Sequence, residues 1–185
     1  MTFTRTELPD VIIIEPKVFQ DERGYFSEIF RNDLLEEFIS GKTNFFQDNE
    51  SKSSYGVLRG LHFQIPPFAQ TKLVRVIKGK VLDIVVDIRK SSTTYGKHIS
   101  IELSEDNKKQ IFIPQGFAHG FVVLSDEAIF NYKVDNKYSP LHERGVVFSD
   151  KSLDIDWKVN NEDLIITSKD ELLKSFDELE DYFTE

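Results

Sequence analysis

One stretch decides the fold class of this chain: Val81-Leu82-Asp83-Ile84-Val85-Val86-Asp87-Ile88-Arg89. Apolar and polar side chains alternate along it, and the apolar set on one face is Leu82, Ile84, Val86 and Ile88. Asp83, Asp87 and Arg89 then share the opposite face. A period of two residues is typical of a β-strand, so the stretch predicts a strand with one face in the core and one in solvent.

Similar short runs recur along the chain, at residues 11–14, 25–30, 72–77, 98–103, 110–113, 121–124 and 129–134. Turn residues such as Lys78-Gly79 and Tyr95-Gly96 separate them. Many short strands without intervening helices predict an all-β antiparallel barrel or jelly roll. The sequence has no internal repeat and no Pro/Gly-rich linker, so residues 1–185 are expected to form a single domain.

Two helices are expected beside the strands. The first is short and covers residues 32–40, ending before Gly41. The second begins at Ser168, with Glu171 placed to complete a capping box. Apolar residues continue from there as one helical stripe to Phe183, which predicts a packed C-terminal helix.

Composition excludes several classes of function. The chain has no cysteine, so disulfides, thiolate nucleophiles and cysteine zinc sites are ruled out. A net charge of -9 argues against a nucleic-acid-binding protein, although a locally basic pocket could still bind one small anion. No apolar run reaches the roughly 18 residues of a membrane span. The first residues do not resemble a signal peptide, so a cytoplasmic location is expected.

The histidines are isolated from one another, at positions 62, 98, 119 and 142. The spacing lacks the pair of histidines, one residue apart on a strand, that metal-binding barrels usually present. We therefore expect no metal and no cofactor. Arg59 and His62 flank Gly60 and would face opposite sides of a regular strand. Both can enter one cavity only if Gly60 marks a β-bulge.

Four residue types along the chain suit the removal of a proton beside a carbonyl group. His62 can act as the base, because histidine titrates near neutrality, and the Asp170 carboxylate can orient it. The cation of Lys72 can stabilise the enolate oxygen. Tyr132 can return a proton to the opposite face. Taken singly, each residue also has an ordinary structural interpretation, such as a core aromatic or a lysine at a strand start.

Longer blocks of sequence resemble the dTDP-4-dehydrorhamnose 3,5-epimerase family. The blocks are Phe19-Gln20-Asp21-Glu22-Arg23-Gly24-Tyr25-Phe26-Ser27-Glu28, Arg59-Gly60-Leu61-His62-Phe63-Gln64, Gln70-Thr71-Lys72-Leu73-Val74 and Ile113-Pro114-Gln115-Gly116-Phe117-Ala118-His119-Gly120-Phe121. The resemblance runs from about residue 10 to residue 170 in the family's order. It implies a cupin-type jelly roll that forms a homodimer and needs no metal.

The resemblance also implies roles for individual residues. His62 would be the general base paired with Asp170, Tyr132 the acid, and Lys72 the group that stabilises the enolate. The residues implied to hold the dTDP-linked keto-deoxysugar are Arg23, Phe26, Glu28, Gln47, Asn49, Arg59, His119, Tyr138, Glu143 and Lys169. Arg23 and Glu28 are implied to act across the dimer interface. The substrate would be dTDP-4-dehydro-6-deoxy-D-glucose and the product dTDP-4-dehydro-L-rhamnose.

Three alternatives stay open on the sequence alone. The first is an epimerase of a related pathway that inverts only C3 or only C5. The second is a cupin that binds a nucleotide sugar without catalysis, although binding needs no base opposite an acid. The third is a metal-dependent cupin, which the isolated histidines disfavour.

Overall fold

A computed structural model describes residues 1–183, and β-strands dominate it, as the sequence predicts. The strands are β1 (Thr2–Arg5), β2 (Ile12–Glu15), β3 (Val18–Asp21), β4 (Gly24–Ser27), β5 (Gln47–Ser54), β6 (Leu58–Gln64), β7 (Lys72–Lys78), β8 (Lys80–Asp87), β9 (His98–Ser104), β10 (Gln110–Ile113), β11 (Phe117–Val123), β12 (Glu127–Val134) and β13 (Glu143–Gly145). The helices are α1 (Asn32–Ile39) and α2 (Ser168–Glu171), and two 3-10 turns cover Asn161–Asp163 and Phe176–Glu178.

The strands form two facing antiparallel sheets and one separate hairpin. The six-stranded sheet has the order β1-β2-β10-β7-β12-β5, and the five-stranded sheet has the order β13-β6-β11-β8-β9. Strands that are adjacent in a sheet are mostly distant in sequence, which is the crossing pattern of a jelly roll. Strands β3 and β4 pair only with each other. The predicted cupin-type jelly roll is confirmed.

The main core lies between the two sheets. Val74 and Phe130 from the six-stranded sheet pack with Val85 and Phe121 from the five-stranded sheet. The rings of Phe121 and Phe130 stack with their centroids 4.2 Å apart. These apolar side chains fill part of the space between the sheets, and the polar side chains of the same inner faces occupy another part of it.

The expectation that β8 is half-buried is wrong, because both of its faces are buried. Its outer face packs with the C-terminal part of the chain, since Ile84 belongs to the same buried cluster as Trp157 and Phe176. On the inner face, Asp83 and Asp87 are both 0% exposed. The alternation in the sequence separates the polar face of the strand from the apolar face correctly. The polar face, however, points into the protein, where the two carboxylates have partners.

Helix α1 begins and ends close to the predicted residues and covers the outer face of the six-stranded sheet. Leu35 is fully buried there against Leu73 and Phe112. The helix ends with Ser40 in the left-handed conformation, at φ 53°. No helix among residues 1–183 has the length and apolar character needed to cross a membrane.

The predicted long C-terminal helix is wrong, because only the single turn of α2 forms. Thr167 rather than Ser168 caps this turn, and Leu172, the next residue of the expected apolar stripe, is 84% exposed. The following chain runs alongside the sheet, where the Val147 amide donates to the Lys174 carbonyl at 2.9 Å. This path places Phe176 against the outer core, and that burial outweighs helix propensity.

Candidate active site

A β-bulge at Gly60 directs both Arg59 and His62 into the space between the sheets. Arg59 lies opposite Phe121 and His62 lies opposite His119, so β6 has one residue more than β11 across this interval. Leu58 and Leu61 consequently pack in the same outer core, although they are three residues apart. The bulge required by the sequence argument is therefore present.

Two glycines allow the strands to approach closely at the bulge. A Cβ atom on Gly60 would lie 2.6 Å from Cα of Gly120, and the backbone of Gly60 has φ +120°. A Cβ atom on Gly120 would lie 2.7 Å from the carbonyl oxygen of Arg59. Both distances are well below van der Waals contact, so only glycine fits on either strand.

A cavity of about 340 Å³ opens beside the bulge. Nine residues proposed from the sequence line it, including all four assigned to catalysis: Arg59, His62, Lys72, His119, Tyr132, Tyr138, Glu143, Lys169 and Asp170. They arrive from both sheets, from the loop after β12 and from α2. Residues this far apart in sequence are brought together by the sheet topology, the loop after β12 and α2.

His62 and Asp170 form a close pair in the cavity wall. Nε2 of His62 lies 2.7 Å from Oδ1 of Asp170, which is 3% exposed. Burial acts to raise the pKa of the Asp170 carboxyl, but the hydrogen bond and charge of His62, the Gly60 amide and the charge of Lys169 together outweigh it and lower that pKa. The carboxylate therefore accepts a hydrogen bond from the Nε2–H group, which leaves the lone pair of the neutral ring on Nδ1.

Local backbone contacts fix the position of Asp170. Its amide donates to the Thr167 carbonyl at 2.9 Å in the single turn of α2. The Gly60 amide approaches Oδ2 of Asp170 at 3.4 Å. The bulge therefore contacts the carboxylate that also holds the His62 ring.

Lys72 is half-buried at the start of β7, and its Nζ lies 3.4 Å from the carbonyl oxygen of His62. Loss of hydration lowers the pKa of Lys72 to about 8, while the charges of Asp83 and Glu143 oppose that change. The ammonium form still predominates at neutral pH, at roughly nine molecules in ten. Lys72 thus offers a cation next to the proposed base.

Tyr132 extends into the cavity from the middle of β12. Burial raises the pKa of its phenol above the ordinary value, and the positive charge of Arg59 only partly offsets this. The phenol therefore stays protonated at neutral pH and can give a proton.

Glu143 gathers two other residues at the mouth of the cavity. The hydroxyl of Tyr138 donates to Oε2 of Glu143 at 2.8 Å, and the Lys169 ammonium contacts the same oxygen. Burial acts to raise the pKa of Glu143, but the hydrogen bonds from Lys169 and Tyr138 outweigh it and lower that pKa. The mouth consequently carries a charged network rather than a free carboxylate.

Strand β5 borders the cavity beside Tyr132. Arg59 donates through Nε and Nη2 to Oγ of Ser53, each at 3.2 Å. Gln47 donates to Asn49 at 2.9 Å, and Asn49 lies opposite Tyr132 in the strand register. Gln47 and Asn49 are outside the set that lines the cavity, although they lie on the strand that supplies part of its rim.

The structure does not bring Arg23, Phe26 and Glu28 into this cavity. Arg23 and Phe26 lie on the β3–β4 hairpin, where Arg23 pairs with Asp21 and Phe26 is 68% exposed. Glu28 follows the hairpin and lies 3.6 Å from Arg31. Within one protomer these three residues therefore form no part of the site.

The structure contains a second histidine–carboxylate pair, which the sequence did not predict, between β11 and β8. Nε2 of His119 lies 2.9 Å from Oδ2 of Asp83, and both side chains are buried. Asp83 was assigned to the solvent face of β8. A lone carboxylate inside a run of valine and isoleucine was the available signal, since such a group is rarely buried without a partner.

In the part of the chain that the structure describes, residues 1–183, no group of three or more His, Asp or Glu side chains is placed to hold a metal ion. The absence of a metal requirement stays a prediction.

A jelly roll whose cavity sets a carboxylate-held histidine, a lysine and a protonated tyrosine around one space defines an acid–base isomerase. The family model for dTDP-4-dehydrorhamnose 3,5-epimerase matches residues 5–178. The chain belongs to this family.

Individual relatives agree with this assignment. A dTDP-4-dehydrorhamnose 3,5-epimerase of Shigella flexneri is 58% identical over 87% of this chain and 89% of its own. The crystal structure of the Elizabethkingia anophelis enzyme has a TM-score of 0.93 and 50% identity, over 96% of this chain and 97% of that one. The Legionella pneumophila enzyme in complex with dTDP-4-keto-L-rhamnose has a TM-score of 0.92 and 42% identity, covering 97% and 94%.

Proposed function

We propose that this enzyme inverts C3 and C5 of dTDP-4-dehydro-6-deoxy-D-glucose to give dTDP-4-dehydro-L-rhamnose. The observation that carries the proposal is the pairing of His62 with Asp170 at 2.7 Å in the same cavity as Tyr132 and Lys72. The 3,5-epimerases among its relatives support the regiochemistry, and one of them was crystallised with dTDP-4-keto-L-rhamnose.

Each inversion exchanges one proton for another. Nδ1 of His62 takes the proton from C3, and the electrons of the broken C–H bond form the enolate, with negative charge on the C4 oxygen. The Lys72 ammonium stabilises this oxyanion, and Asp170 stabilises the imidazolium. Tyr132 then gives its phenolic proton to the opposite face of C3. His62 and Tyr132 return to their starting protonation states through solvent, and the same sequence follows at C5.

Cationic and hydrogen-bonding residues around the cavity would hold the rest of the substrate. Arg59 and Lys169 are suited to the diphosphate because guanidinium and ammonium groups bind phosphate oxygens strongly. The nucleoside and the sugar would then be bound by Tyr138, Glu143, His119, Gln47 and Asn49. Glu143 already accepts hydrogen bonds from Tyr138 and Lys169. Substrate binding would therefore involve side chains that already contact one another at the mouth of the cavity.

The β3–β4 hairpin supports the proposal of a homodimer. Phe19, Tyr25 and Phe26 are 51%, 58% and 68% exposed on it, and the rings of Phe19 and Phe26 lie 6.4 Å apart. In a dimer that buried these rings, Arg23, Phe26 and Glu28 of one protomer could lie beside the cavity of its partner. The homodimer and the cytoplasmic location stay predictions.

The proposal is tested by proton NMR of dTDP-4-dehydro-6-deoxyglucose with the enzyme in heavy water. Deuterium should enter at both C3 and C5. His62→Ala should abolish both exchanges while dTDP affinity, measured by calorimetry, stays nearly unchanged. Exchange at C3 alone would make the protein a single-centre epimerase. Binding of the nucleotide sugar without any exchange would make it a binding protein.

A further inference from the structure

We propose that Asp83 is a positioning residue of this epimerase: its buried carboxylate holds His119 through one oxygen and supplies the negative charge that keeps the Lys72 ammonium in the cavity wall. The inference rests on the proposed function, since it assigns to Lys72 the stabilisation of an enolate. It concerns a residue that lies behind the cavity and does not line it.

The first observation is the position of Asp83 on the inner face of β8. Its neighbours across the ladder are Phe121 on β11 and Ile101 on β9, and both are apolar. Asp83 itself is 0% exposed. A carboxylate in such surroundings costs several kcal/mol unless it is compensated, so the charges that face it determine its state.

The second observation is the unequal use of the two carboxylate oxygens. Oδ2 accepts from Nε2 of His119 at 2.9 Å. Oδ1 is buried and has no hydrogen-bond partner among residues 1–183. The hydrogen bond to His119 therefore satisfies only half of the group, and the remaining stabilisation must come from charge at longer range.

The third observation is that Lys72 lines the same cavity as His119, the residue that Asp83 holds, so that the charges of Asp83 and Lys72 act on each other. Burial raises the pKa of Asp83, while the charges of His119 and Lys72 oppose this. The pKa of Lys72 is lowered to about 8 by burial, and the charges that oppose the change are Asp83 and then Glu143. The other charged groups that act on the pair are His119 on β11 and Glu143 on β13. Asp83 and Lys72 thus stabilise each other's charged forms between the two sheets.

A matched pair of variants on β8 tests the proposal. Asp83→Asn keeps the size of the side chain but removes its charge. Asp87→Asn does the same to a carboxylate that is equally buried on the same strand, where it accepts from Arg89, Ser92 and Thr94. The measurement is kcat/KM against pH for C3 exchange in heavy water. In Asp83→Asn the alkaline limb should move to lower pH by about one unit, which is the low end for loss of a nearby opposite charge.

Asp87→Asn should lower the melting temperature and leave the alkaline limb where the wild type has it. If the alkaline limb of the kcat/KM profile lies at the same pH in the wild type and in both variants, the proposal is overturned and Asp83 has only a packing role. If wild-type enzyme exchanges neither C3 nor C5, the proposed function fails instead, so the two failures are distinct.

A second measurement does not depend on the stability of Asp83→Asn. Because coupling between two charges is reciprocal, Lys72→Gln should raise the pKa of Asp83, followed by NMR of protein labelled with carbon-13 at the aspartate carboxyl. An Asp83 titration that is the same in wild type and Lys72→Gln would contradict the proposed charge pair.

Discussion

His62 and His119 lie directly opposite each other on β6 and β11, and each ring contacts a buried carboxylate from a different element. Asp170 on α2 holds His62, and Asp83 on β8 holds His119. The side chain of His62 is 26% exposed, whereas that of His119 is 8% exposed. The cavity wall therefore contains two similar pairs, of which the more accessible one is suited to meet a substrate proton.

This difference predicts unequal effects of substitution. His62→Asn should lower the exchange rate at C3 and C5 by about 10² to 10⁴, the usual contribution of a general base. His119→Asn should retain exchange and mainly raise KM, because the proposed role of its ring is to contact substrate without taking a proton. The measurement is deuterium entry under saturating and limiting substrate. A loss of saturated rate in His119→Asn as large as that in His62→Asn would show that His119 is the base.

Removal of the Tyr132 hydroxyl should separate the two halves of each inversion. In Tyr132→Phe, His62 can still remove the proton and return a deuteron to the same face, so exchange should exceed inversion. We expect product formation to fall by about 10² or more. Following deuterium entry and L-rhamnose configuration in one NMR sample measures both. If exchange and product formation fall equally, Tyr132 takes part in proton removal as well.

The lowered pKa of Lys72 predicts an alkaline limit to activity. The proposed mechanism requires the ammonium, whose pKa is about 8, so kcat/KM should decline as pH rises through that value. Burial raises the pKa of Tyr132 above its ordinary value near 10, so deprotonation of the phenol lies at higher pH. Lys72→Arg should remove the limb near pH 8, because arginine stays charged, although its overall rate will be lower. Persistence of that limb in Lys72→Arg would assign it to another group.

The close approach of β6 and β11 predicts a specific effect at Gly120. Gly120→Ala would place a Cβ atom 2.7 Å from the carbonyl oxygen of Arg59, so the strands must separate. We expect a loss of about 1 to 3 kcal/mol in the free energy of unfolding, as for an overpacked core, together with reduced kcat. Urea denaturation and exchange kinetics measure the two effects. A variant with wild-type stability and rate would show that the strands tolerate a wider spacing.

Much of the architecture could be predicted from local patterns. The alternation in β8 predicts a strand, and the spacing of Arg59 and His62 around Gly60 requires a bulge if both side chains are to enter one cavity. The second buried face of β8 could not be predicted, because the residues that cover it lie some 70 to 90 positions further along the chain, at Trp157 and Phe176. Asp83 was assigned to solvent for the same reason.

The C-terminal segment shows where local propensity fails. Its apolar spacing is compatible with a helix, but Phe176 and Leu179 are buried by packing on a sheet that the local sequence does not describe. The positions of Arg23 and Glu28 outside the cavity have another cause. If they act on a partner protomer, as proposed, the geometry of one chain carries no signal of it.

The pair formed by His62 and Asp170 spans 108 positions of sequence. At roughly 5 to 20 residues per second, a ribosome needs about 5 to 20 s to add the carboxylate after the histidine has been synthesised. Most strands of the barrel are translated in that interval, so a nascent chain that has exposed β12 contains the base, the lysine and the tyrosine but not the group that orients the base. By the proposed mechanism, full activity consequently cannot begin before Asp170 has been synthesised.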